Sequence, residues 1–120
     1  MKAYKLINTA DNLSAFQEGT IPDAVLIEAH HFFILTEIAV YERSIHPAPR
    51  YQFVITLKGK LKFTVSNGTW FIIEPGIVLI AKDLHGEGHS WELIEGETWE
   101  RIYIVPKADA EDHFEISDFI

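Results

Sequence analysis

Across the central and C-terminal chain, apolar and polar positions alternate in short runs broken by glycine, proline and asparagine. The clearest run is Lys60-Leu61-Lys62-Phe63-Thr64-Val65-Ser66. Leu61, Phe63 and Val65 share one face, and the lysines, Thr64 and Ser66 share the other, the period of a half-buried strand. Asn67-Gly68 follows, two residues that tolerate positive φ, so a hairpin returning through residues 69–73 is expected. Glu74-Pro75-Gly76 then turns the chain into residues 77–81, an apolar run suited to a buried strand. Upstream, Lys58-Gly59-Lys60 reads as a tight turn between strands at 51–57 and 61–66. β-Branched and aromatic residues predict further strands over 24–28, 31–42, 89–94 and 98–105. Residues 8–20 are read as a short N-terminal helix or loop, with Asp11 or Asn12 as its cap. The C-terminal tail, 109–120, is acidic, carries Phe114, Ile116 and Phe119, and is expected to pack onto the rest of the fold or onto a partner chain. Many short strands at close spacing predict an all-β sandwich or barrel. The whole chain, 1–120, reads as one domain with its barrel core at about 24–105.

Composition narrows the function classes. A chain of 120 residues buries roughly two-thirds of its unfolded surface and sustains one core. It holds 10 basic and 18 acidic side chains, a net charge of −8, and such a surface repels phosphate backbones. Nucleic acid is therefore excluded as an expected partner. The chain has no cysteine, which removes disulfides, thiolate metal sites and a Cys nucleophile. No secretory signal is apparent at the start and no apolar run approaches a membrane span, so a cytoplasmic location and no membrane partner are expected.

Two stretches carry candidate chemistry. The first is HPAPRYQ, residues 46–52. Proline has no N–H, so Pro47 and Pro49 cannot sit in a paired central ladder, and they hold the chain rigidly as it enters the next strand. In a regular strand His46, Arg50, Gln52 and Val54 share one parity and line a cavity. Tyr51, Phe53, Ile55 and Leu57 share the other and pack. Arg50 supplies a fixed fork of donors and Gln52 both a donor and an acceptor, a pairing suited to a carboxylate, phosphate or sugar. The alternative is an Arg50 that pairs with a surface acid. The second stretch is DLHGEGHSW, residues 83–91. Its two glycines let a loop fold over a cavity. His85, Glu87 and His89 alternate in it, a set able to hold a metal or run acid–base chemistry near neutral pH. Against that stands a solvated loop with surface histidines. Trp91 is placed to wall the pocket, while Trp70 and Trp99 read as core or interface. His30 and His31, as strand neighbours, are expected on opposite faces, and His113 is expected in solvent.

The stretches IHPAPRYQFVITLKGKLKF (45–63) and NGTWFIIEPGIVLIAKDLHGEGH (67–89) resemble a small single-domain cupin, a double-stranded β-helix or jelly-roll barrel. The resemblance covers roughly residues 40–105. Gly59 matches the glycine of the first cupin motif, His46 one of its two histidines, and Pro75-Gly76 the second motif. Gln52 stands where metal cupins usually carry Glu, and the other histidine falls among Pro47 and Ala48. The third histidine is matched by His89, with His85 as the alternative. The resemblance implies a degenerate site for a divalent Fe, Mn, Ni or Zn ion at His46, Gln52 and His89. It also implies catalytic roles for His46 and His89, with Arg50, Gln52, His85, Glu87 and Trp91 binding substrate. An isomerase, epimerase or lyase acting on a small oxygenated substrate, such as a sugar or carboxylate, is the leading expectation. A ligand-binding or sensory module working through a partner, and a dimerisation barrel with a vestigial site, are the alternatives. Barrels of this type imply a homodimer.

Overall fold

The computed structural model describes residues 1–39 and 44–117. Eight strands form one curled mixed sheet, a half-barrel, and no helix occurs among the described residues. They are β1 (Lys2–Asn8), β2 (Ser14–Thr20), β3 (Ala29–Leu35), β4 (Gln52–Val65), β5 (Trp70–Ile73), β6 (Val78–Ala81), β7 (His89–Pro106) and β8 (Glu115–Ile116). Their order across the sheet is β3-β7-β4-β6-β1-β2-β8, with β5 on the distal half of β4. The β1–β6 pairing is parallel and the others are antiparallel.

The long pair β4–β7 is the spine, running from Phe53 opposite Ile104 to Val65 opposite His89. Here the expected turn at Lys58-Gly59-Lys60 is corrected. The chain passes straight through it as one strand, with register shifts between Thr56 and Leu61. The reason is pairing. Residues on both sides of Gly59 bond to β7, so the glycine bends a strand instead of reversing it. Gly59 has φ 110°, and a Cβ there would stand 2.7 Å from the Thr98 carbonyl oxygen, so β7 leaves room only for glycine. The two strands expected at 89–94 and 98–105 are likewise one strand, β7.

The N-terminal helix or loop expected over 8–20 is also corrected. Residues 14–20 are β2, paired along its length with a strand at Lys2–Asn8 that the sequence pattern did not reveal. Asp11 and Asn12, the alternative caps expected, sit instead in the connecting turn, where Asn12 has φ 58°. The strand expected over 24–28 is absent, and Ala24 adopts φ 61°, incompatible with an extended ladder. The strand expected over 31–42 is Ala29–Leu35; residues 36–39 leave the sheet, and 40–42 lie outside the described residues. A bulge between Ala29 and His31 defeats the parity expected for the two histidines. Both are exposed, with their Nδ1 atoms 2.7 Å apart.

The concave face of the curl holds the main core: Leu6, Leu61, Phe63, Ile73, Leu79 and Trp99 are each no more than 2% exposed. Full burial of such a side chain contributes about 1.5–3 kcal/mol. Phe71 adds close ring contacts with Tyr4 and Phe16, both at 4.7 Å between centroids. The convex face carries a smaller cluster of Ala3, Phe53, Val78 and Ile80, covered by Ile21, Tyr51 and Phe114. Thus Tyr51, Phe53 and Ile55 pack on this face as their parity requires, while Leu57 is exposed.

The tail folds back on its own sheet. Glu115 and Ile116 pair with Thr20 and Gly19, and the Asp112 carboxylate meets Lys5 Nζ at 2.6 Å. Burial pushes the Asp112 carboxyl up. The Lys5 ammonium, the Phe114 N–H and the Lys82 charge outweigh this and hold it below its ordinary value. Burial, helped by the Asp112 charge, raises the Tyr51 phenol to about 12. Phe119 lies outside the described residues.

Candidate functional site

Four separate segments are knotted together at one end of the curl. His46 and His89 exchange both backbone hydrogen bonds, His46 N–H to His89 O at 3.0 Å and His89 N–H to His46 O at 2.9 Å. Gly88 makes this approach possible. It has φ 86°, and a Cβ there would overlap the His46 backbone. The Ala48 N–H, in the middle of the proline corner, donates to the Asp83 carbonyl at 2.9 Å. Two prolines around a single available N–H make this bond the anchor of the corner. From β2, Ser14 N–H donates to Ser66 Oγ at 2.7 Å, and Ser66 N–H to the Gly88 carbonyl at 3.1 Å.

At the centre lies Asp83, whose side chain is fully buried. One oxygen, Oδ2, accepts from Ser14 Oγ and from His89 Nδ1, each at 2.6 Å. A carboxylate oxygen only accepts here, so the proton sits on His89 Nδ1 and the lone pair of the neutral ring on Nε2. The ring is 6% exposed and packs against Phe63 at 5.8 Å between centroids. His46 is fixed the same way: its Nδ1–H donates to the Pro47 carbonyl at 2.8 Å. The two imidazoles lie 5.3 Å apart, centroid to centroid, inclined at 58°.

Both histidines line a cavity of about 480 Å³. Arg50, Gln52, Val54 and Trp91 line it too, together with Phe33, Phe63, Leu79, Trp99 and Tyr103. Arg50 is exposed at the mouth, donates from Nη1 to Gln52 Oε1 at 2.9 Å, and lies over the Phe33 ring at 5.8 Å. Gln52 is buried, and its remaining amide N–H groups are donors. His85 and Glu87 are exposed and do not belong to the cavity lining. The Asn8 carboxamide pins the His85 backbone through both its N–H and its carbonyl, at 3.0 and 2.7 Å, which ties the loop to β1.

Two residues matter here that sequence reasoning missed. Asp83 was read only as the start of a loop, although its spacing of six residues from His89 was visible. Arg101 is fully buried, donates to the Trp99 and Glu37 carbonyls and the Tyr103 hydroxyl, and stacks 4.4 Å from the Trp99 ring. It braces two walls of the cavity from behind.

For a divalent metal the set is sparse. Donation from Nδ1–H to a carboxylate or carbonyl is the usual backing of a metal-bound imidazole, so it does not bar a metal at His46 or His89, but Gln52 Oε1 already faces a guanidinium. Among the described residues no group of three or more His, Cys, Asp or Glu is placed to hold a metal ion. What the arrangement offers is a pair of oriented imidazoles, one backed by a buried carboxylate, beside a cationic mouth. Comparisons with family models, curated proteins and solved structures give no match for this chain.

Proposed function

We propose that the chain is a cupin-type barrel protein whose cavity carries out acid–base isomerisation or epimerisation of a small oxygenated substrate, such as a sugar or a carboxylate. The observation that carries this reading is the buried Ser14–Asp83–His89 chain at the cavity wall. Asp83 fixes the His89 tautomer and stabilises the imidazolium that forms when Nε2 accepts a proton, the role a carboxylate plays behind a catalytic histidine. His46, on the adjoining strand segment, is the second proton carrier. Arg50 and Gln52 hold the anionic or carbonyl end of the substrate.

The test is solvent deuterium incorporation next to the carbonyl across a panel of sugars and oxo or hydroxy acids. Incorporation lost in His89→Gln and His46→Gln, with the folded state of each variant verified by circular dichroism, is the expected result. Incorporation that persists in both variants refutes the assignment. A ligand-induced rise in melting temperature that depends on Arg50, without any incorporation, would favour the binding-module reading.

The homodimer belongs to the same proposal. On the convex face, Ile34, Ile102, Ile55 and Val78 form one cross-strand row, and Phe32, Ile104 and Phe53 form the next. Phe32 and Ile34 are 65% and 63% exposed on the edge strand. In a chain of net charge −8, the exposed apolar edge at Phe32 and Ile34 is where two copies approach with least repulsion. Phe32→Glu is expected to give a monomer by sedimentation; an unchanged mass would rule this face out.

A further inference from the structure

The cavity is polar at its mouth and apolar at its floor, and that gradient narrows the ligand class. Val54, Phe63, Leu79 and Trp99 form the floor, each 2% exposed. The Trp99 Nε1–H, the one polar hydrogen these side chains hold, donates to Thr56 Oγ1 at 3.1 Å. A ligand hydroxyl pressed against this floor finds no side-chain partner, and each such unpaired group lowers affinity by roughly tenfold. Aromatic walls complete the lower part: Trp91 meets Trp99 edge-on at 4.8 Å, and Phe63 meets Trp99 edge-on at 6.0 Å. Among the described residues that line the cavity there is no Asp, Glu or Lys, and Arg50 supplies the permanent positive charge.

We infer that the preferred ligand is a small carboxylate with an apolar, ring-sized body, and not a polyhydroxylated sugar. The inference rests on the cavity being the substrate site proposed above, and it selects between the two substrate classes left open there. The carboxylate takes the guanidinium N–H groups of Arg50 that do not serve Gln52, together with the Gln52 amide N–H. The ring enters the floor between Phe63, Trp91 and Leu79. A volume of about 480 Å³ accommodates one ring and a short side chain, within the range of small-molecule sites.

The experiment titrates the full chain with 3-phenylpropanoate, 3-phenylpropan-1-ol and galacturonate, read by calorimetry and by tryptophan fluorescence. Phenylpropanoate is expected to bind at least tenfold more tightly than either of the other two. Arg50→Met, at an exposed position, is expected to fold normally and to erase the difference between acid and alcohol. Galacturonate binding as tightly as phenylpropanoate, phenylpropanoate binding that ignores Arg50→Met, or no phenylpropanoate binding overturns the inference. His89→Gln separates the two claims, because it is expected to remove deuterium exchange at C3 of phenylpyruvate above the uncatalysed background while the preference for phenylpropanoate over phenylpropanol, set by Arg50, persists. Retained exchange with normal ligand binding defeats the proton-transfer reading and leaves the ligand class standing.

Discussion

Replacing Asp83 with alanine tests the centre of the site without knowledge of any substrate. The carboxylate is fully buried and accepts two hydrogen bonds at 2.6 Å, from Ser14 Oγ and His89 Nδ1. Its removal strands two buried donors, at roughly 1–3 kcal/mol each. Part of that loss is offset, because a buried carboxylate is itself costly to desolvate. Its Oδ1 has no hydrogen-bond partner among the described residues. The net expectation is a loss of about 2–4 kcal/mol, which for a chain of this size lowers the melting temperature by about 8–16 °C. Asp83→Asn keeps an acceptor in place and is expected to lose about half as much or less. The second readout is the tautomer. A neutral histidine side chain in water prefers the proton on Nε2, whereas neutral His89 is expected to carry it on Nδ1, visible in long-range nitrogen–proton correlation spectra. In Asp83→Ala that preference is expected to revert toward Nε2. A variant that melts within about 2 °C of the parent, with the Nδ1–H tautomer intact, would refute the claim that Asp83 orients His89.

Three other outcomes follow from the geometry. Gly88→Ala combines a left-handed backbone with overlap against His46, so a loss of about 2–4 kcal/mol in urea denaturation is expected; an unchanged midpoint would show that the His46–His89 bridge tolerates a Cβ. The Asp112 carboxyl is held below its ordinary 3.8, so its contribution is complete above that value and disappears as pH falls through the lower folded value. Asp112→Asn is therefore expected to flatten the fall in stability on acidification below about pH 4, and a parallel curve would exclude the Lys5 pair as the cause. Tyr51, raised from 10.0 to about 12, contributes stability up to its unfolded value and loses it as pH climbs toward the folded one. An ultraviolet phenolate titration should show one late tyrosine that disappears in Tyr51→Phe.

Sequence and structure divide the determination of this protein along a physical line. Strict alternation at 60–66, the Asn67-Gly68 turn and the Glu74-Pro75-Gly76 turn depend on neighbouring residues alone, so the β4–β5–β6 stretch and the all-β class were legible from the chain. The parity that groups Gln52 with Val54 is equally local and holds within β4, whereas His46 and Arg50 reach the cavity from an irregular segment whose Pro47, Ala48 and Pro49 line it as well. Gly59 was not legible, because the same residue serves a turn or a bend, and only pairing of both flanks with β7 chooses the bend. Nor was the strand at 14–20, whose polar residues form a ladder because β1 lies beside them. Only the tertiary structure sets Asp83 against His89 and Ser14, since that contact joins the ends of strands 69 and six residues apart. It also leaves His85 and Glu87 outside the cavity lining, with the His85 backbone tied to Asn8, 77 residues distant. Local pattern fixes which face a side chain takes. Which side chains then meet is decided by the curl of the sheet.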